Sequence, residues 1–213
     1  MATRTMPTAV AAPMDSTAFE QFAGLCAIIA GILGFLYSVA FIFLKNDLLY
    51  GLFQMLGGVL TTAVLVALYY RLRETDEAFA LWAVLIGLVG SLGAAIHGGY
   101  DLANAVVRPS AEPFTQSGAA FAVDPRGLLT FGVSGVAVFV LAWLMARSGR
   151  FPKNLAYVGY ALGVLLIVLY LGRMIVFTAT NLVILVPALL TGFILNPLWY
   201  IWLGVQLWRG RSA

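Results

Sequence analysis

The chain holds 213 residues, of which 62% are hydrophobic and 10% charged, and its mean hydropathy is +0.97. That balance excludes an ordinary soluble domain, and apolar runs near the roughly 20 residues a helix needs to cross about 30 Å of hydrocarbon mark an integral membrane protein. The net charge of +3 does not point to nucleic acid, because the basic residues stand at the ends of apolar runs and not in a patch interleaved with aromatics.

Residues 1–21 lack the compact apolar core of a cleaved signal peptide and read as an N-terminal cytoplasmic tail. A first span is predicted over about 22–44. Its Cys26 is the only cysteine, so an intramolecular disulfide and a CxxC redox pair are both excluded. A second span, about 48–70, carries Tyr50, Gln54, Gly57, Gly58 and Thr61 on one face, a mixture of small and polar groups that suits packing against protein. It closes with Tyr69 and Tyr70 beside Arg71, as aromatic anchors at a membrane interface do.

The third span, about 78–103, ends in "GSLGAAIHGGYDLANAV", which includes the single histidine. A helical step of about 100° per residue gathers His97, Tyr100, Asp101 and Asn104 into an arc of roughly 100°, with Gly90 and Gly93 on the same arc. This stripe therefore turns toward protein, at the outer end of the span. A long connection, 105–126, carries Pro109, Pro113 and Pro125. The fourth span follows over about 127–146 and the fifth over 155–177, where Arg173 lies near the outer end with Tyr170 one turn earlier on the same face. The sixth, about 182–207, contains Pro187 and the pair Asn196-Pro197; each proline removes a backbone donor, so kinks are expected at both, and the freed carbonyls either coordinate an ion or line a cavity, or, as the favoured reading has it, are satisfied by Thr191, Asn196 or a neighbouring helix. Residues 209–213 form a C-terminal tail.

None of the runs alternates with period two, so an all-α bundle of six transmembrane helices within 22–208 is expected, not a barrel. If both termini share a side, that side collects Arg4, Arg71, Arg73, Arg147, Arg150, Lys153, Arg209 and Arg211, against Lys45, Arg108, Arg126 and Arg173 opposite. The excess places both termini in the cytoplasm.

An ionisable group deep in a span costs about 2.5 to 3.5 kcal/mol on insertion scales, so each needs a partner or a wet cavity. Asp101 and Arg173 reach a similar depth and are the natural pair. The candidate ligand site is then Gln54, His97, Tyr100, Asp101, Asn104, Tyr170 and Arg173, covered from outside by the 105–126 connection. Two readings stay open: polar glue between helices, or a pocket in which a histidine beside a carboxylate titrates near neutral pH.

Other chemistry is demoted. One histidine, one distant cysteine and one clear intramembrane acid are too few for a zinc site, and bis-histidine haem ligation is excluded within the chain. Ser91 is turned about 120° from His97, which argues against a hydrolase triad, and no phosphate-cradling glycine loop is present. The reading leans away from an enzyme and expects no cofactor. It favours a non-catalytic protein that binds a lipophilic or small polar ligand, or a membrane partner subunit or second copy, from within the lipid bilayer. The alternatives are a small proton-coupled transporter using His97 and Asp101, and a membrane enzyme or quinone-binding subunit.

The "HGGYDLAN" at 97–104, the glycine-rich first span and the ending "NPLWYIWLG" at 196–204 resemble a group of uncharacterised six-span bacterial membrane proteins classed as a domain of unknown function. That resemblance implies a bacterial inner-membrane location and brings no assigned reaction.

Overall fold

A computed structural model describes residues 16–107, 123–176 and 181–210. Its regular structure is all helical, and six helices are long and apolar enough to cross a membrane: Ala18–Leu44, Asp47–Leu72, Glu77–Val107, Pro125–Ser148, Lys153–Ile175 and Leu182–Trp208. These are the six expected spans. Two bounds differ from the expectation by more than two residues: helix begins at Ser16, ahead of 22, and the third span runs past 103 to Val107, because nothing disfavours helix there until the residue before Pro109. Most of the N-terminal tail, Pro109, Pro113 and the rest of the expected cover, and Arg4, Arg108 and Arg211 lie outside the described residues.

Short polar signals separate the spans. Lys45 adopts a left-handed conformation (φ 48) that ends the first, and the Asn46 side chain accepts the Leu49 N–H at 3.0 Å to start the second. Asp76 caps the third in the same way through Phe79 N–H, and Asn181 the sixth through Val183 N–H. Gly149, at φ 65, terminates the fourth, a conformation that glycine adopts without a Cβ penalty.

The spans close into a ring in which each packs on its neighbours in sequence and the sixth returns to the first. Within a bilayer apolar contact alone does not drive helices together, so close backbone approach matters. Glycines supply it at three crossings. A Cβ on Gly24 would lie 2.7 Å from the Gly204 carbonyl oxygen, one on Gly51 2.8 Å from that of Gly98, and one on Gly135 2.9 Å from that of Gly163. Outside the ring, Leu85, Val89, Ile96 and Ile194 are exposed, as a hydrocarbon surround requires.

The two halves of the ring differ. Toward the termini, Leu68, Leu72, Leu141, Leu144, Met145, Leu155, Leu203 and Leu207 are buried and pack into one apolar core. A buried ion pair, Arg71 Nη2 to Glu20 Oε2 at 2.8 Å, ties the second span to the first at that end. Arg150 pairs with Glu74 and donates to the Arg71 carbonyl at 2.9 Å. The bundle is therefore sealed at the end bearing the termini; the opposite half is where space remains.

Candidate functional site

The polar stripe of the third span meets a residue that the sequence reading treated as part of a connection. Asp124 has a completely buried side chain, and its two oxygens accept the Leu129 N–H at 2.8 Å and the Thr130 N–H at 3.0 Å, which starts the fourth span. His97 stands between two acids: Nδ1 lies 3.6 Å from Asp124 and Nε2 3.5 Å from Asp101, one turn along the same helix. Burial alone would raise the Asp124 carboxyl, but the facing His97 ring and the backbone N–H groups of Leu129 and Thr130 hold it down at about 2.

This arrangement corrects the expected Asp101–Arg173 pair. Asp101 is engaged by His97, and no ion pair joins it to Arg173 among the described residues. The reason is azimuthal: the stripe on the third span faces the start of the fourth, which comes between it and the fifth. The Arg173 guanidinium lies 5.2 Å over the Phe131 ring, and Arg126 Nη1 donates to the Arg173 backbone carbonyl at 3.3 Å, binding the start of the fourth span to the end of the fifth. The chain turns there through two positive φ values, Arg126 at 59 and Gly127 at 79; a Cβ on Gly127 would crowd the Phe131 ring.

Behind these residues the ring forms a partly open cavity of about 670 Å³, lined by all six spans. Its walls are mainly apolar, with Phe41, Phe53, Leu162, Leu166, Leu169, Ile184 and Leu185 among them, and Lys45, Arg126 and Arg173 stand at the end away from the termini. From Arg173 to Leu162 it extends roughly 16 Å at 1.5 Å per residue. Three π-helical segments interrupt the spans, Ala40–Leu44, Leu128–Val133 and Thr191–Leu195, and every one contributes to the lining, through Phe41 and Ile42, Thr130 and Phe131, and Thr191 and Gly192. Such insertions occur frequently at functional sites. The third precedes Pro197 and absorbs the backbone disturbance expected there, while the Thr191 hydroxyl donates to the Pro187 carbonyl at 2.7 Å.

Of the expected site residues, the structure brings Gln54 and Arg173 to this cavity. Gln54 is nine-tenths buried in the wall, and its Nε2 has no hydrogen-bond partner among the described residues. His97 and Asp101 lie beside the cavity, joined to it through Asp124. Tyr100 and Asn104 are half-buried on the same helix and do not line it, and Tyr170 is taken up in packing its ring on Gly132, where a Cβ would lie 2.9 Å from Cδ1.

Tyr37 and Ser38 line the cavity and were not singled out from sequence. Tyr37 stacks on Phe41 with ring centroids 5.8 Å apart, and Tyr50 meets both edge-on. Ser38 and Asn196 join the first and sixth spans, each set against the bare backbone of a facing glycine, Gly192 and Gly34. A signal for Tyr37 existed, since it directly precedes Ser38 within an otherwise apolar span. Among the described residues no group of three His, Cys, Asp or Glu side chains could hold a metal ion. No family model, curated protein or solved structure matches this chain.

Proposed function

We propose that this is a non-catalytic integral membrane protein that binds a lipophilic ligand in the cavity lined by its six spans. The observation that carries the reading is the cavity: about 670 Å³ falls within the roughly 300–1,000 Å³ of small-molecule sites, and apolar walls with a few polar groups are the usual lining. Gln54 strengthens it. A buried donor without a partner costs about 1–3 kcal/mol, and an acceptor atom on a bound molecule removes that cost.

The resemblance to bacterial six-span proteins supports an inner-membrane location. Arg71, Arg73, Arg147, Arg150, Lys153 and Arg209 gather at the end bearing the termini, which supports cytoplasmic termini and a cavity facing the outer leaflet. A C-terminal green-fluorescent fusion should fluoresce and an alkaline-phosphatase fusion should be inactive; the reverse pattern would invert this orientation.

Gly57 offers a direct test of the pocket. A Cβ there would meet only Leu33 Cβ, at 4.0 Å, and the residue lines the cavity, so Gly57→Phe puts a ring into the space without touching backbone. Wild-type protein, purified and extracted with organic solvent, should yield one lipophilic molecule per chain above the bulk lipid background. The variant should lose it. Equal content in the two proteins would count against the reading.

The proton-coupled alternative draws support from His97 standing between Asp101 and Asp124 next to the cavity. It requires pH-driven flux in reconstituted vesicles that His97→Ala and Asp101→Asn abolish; flux indifferent to both variants removes these residues from any transport mechanism.

A further inference from the structure

We infer that the ligand is a neutral lipophile with a carbonyl group, an ester or a quinone, whose oxygen accepts a hydrogen bond from the Gln54 amide. This rests on the cavity being a binding site and adds the chemistry of what enters it.

The charged residues at the end away from the termini do not select a charged head group. Lys45, Arg126 and Arg173 share that end with Asp47, Asp101 and Asp124. Arg126 already donates to the Arg173 carbonyl, and the Arg173 guanidinium already covers the Phe131 ring. With both signs mixed at one end, an ionised head group meets repulsion as well as attraction, and it loses hydration on entering.

The wall hydroxyls are largely settled too. Ser38, Thr61, Ser134 and Thr191 each carry one O–H hydrogen, and each donates it to a carbonyl of its own span, at 3.1, 2.8, 3.0 and 2.7 Å. Gln54 differs. It is nine-tenths buried in the cavity wall, and its Nε2, with two hydrogens to give, has no partner among the described residues. Folding alone leaves that donor unsatisfied, whereas an acceptor oxygen on a bound molecule satisfies it.

Position narrows the kind of acceptor. Gln54 lies seven positions into the second span from Asp47, roughly 10 Å in from that end, and Phe53, Leu166 and Leu169 are among the apolar residues of the walls. At that depth a carboxylate carries the cost of a buried charge, while a neutral carbonyl brings its lone pairs at far smaller cost. The rest of the molecule is then hydrocarbon, to suit the walls.

Native mass spectrometry in a non-ionic maltoside detergent tests this with four probes: methyl oleate, oleate, octadecene and a short-tailed ubiquinone. Methyl oleate or the quinone should bind about fivefold more tightly than octadecene, as one net hydrogen bond allows, and more tightly than oleate. Preference for methyl oleate would identify an ester lipid, and preference for the ubiquinone a quinone; either result supports the inference. Gln54→Leu removes the donor at nearly equal volume, so it should bring the favoured carbonyl probe down to the level of octadecene. It should also move the carbonyl stretch of that bound probe to higher wavenumber than in wild type, because hydrogen bonding weakens the C=O bond. A variant that lowers carbonyl-probe and octadecene binding alike and leaves the stretch in place overturns the inference. The comparison of probes on wild-type protein decides the point even where the variant does not fold. If oleate binds most tightly, or if all four probes bind alike and all are lost in Gly57→Phe, the carbonyl inference is overturned while the cavity reading stands. If none binds to wild-type protein, both fail.

Discussion

Replacing Asp124 by asparagine isolates the group that joins the third and fourth spans. Its carboxylate, with no exposed side-chain surface, accepts two backbone N–H groups at 2.8 and 3.0 Å and faces His97 Nδ1 at 3.6 Å. Asparagine keeps one acceptor and turns an NH₂ toward the other donor. Hydrogen bonds to a charged group contribute about 1.5–3 kcal/mol each, so losing one costs about that much. The depressed pKa gives a similar figure: a fall from 3.8 to about 2 corresponds to about 2 kcal/mol at neutral pH. The sign follows from linkage. Because the folded value lies below the unfolded one, the contribution is complete above about pH 4 and is lost as pH falls through about 2. Thermal melting in mild detergent should put Asp124→Asn roughly 4–10 °C below wild type at pH 7. That gap should narrow steadily between pH 4 and 2. A gap that stays constant over this range would refute the assignment of the effect to the ionised carboxylate.

At the sealed end, Glu20→Leu or Arg71→Leu alone should cost about 3–5 kcal/mol by stranding a buried charge, while the double variant should recover most of the loss; additive losses in detergent melting would mean that the pair is not coupled. Gly58→Ala should cost about 1–3 kcal/mol, since its Cβ would lie 2.5 Å from the Ser91 carbonyl oxygen, whereas Gly57→Ala should be nearly neutral; equal melting points for the two would contradict the second–third span crossing described above. In double-mutant cycles, coupling between His97 and Asp101 should exceed that between Asp101 and Arg173, and the opposite order would restore the pairing expected from sequence.

The six spans were legible because length and apolar composition alone determine whether a helix can cross hydrocarbon, and each run here is bounded by a proline, a glycine or a capping side chain. The inward stripe of the third span was legible too, since angular spacing along one helix is set by its period. What periodicity does not contain is the azimuth of one helix relative to another, and that decided the partner of Asp101. Asp124 escaped notice because an acid just ahead of Pro125 reads as an exposed loop residue until its two oxygens are seen capping Leu129 and Thr130. The cavity escaped for a related reason. It is lined by all six spans, and three π-helical segments break the uniform 3.6-residue period along its walls. Glu20 was assigned to a tail because an acid beside an apolar run usually ends it; here Arg71 compensates its burial and the helix begins earlier.

The central claim is that the half of the bundle away from the termini holds a ligand. An experimental density map of the protein purified from native membranes tests it most directly. The account predicts density for a lipophilic molecule in the cavity beside Gln54 and Leu162. A well-resolved map in which the spans have closed on one another there, with no such density, would contradict it.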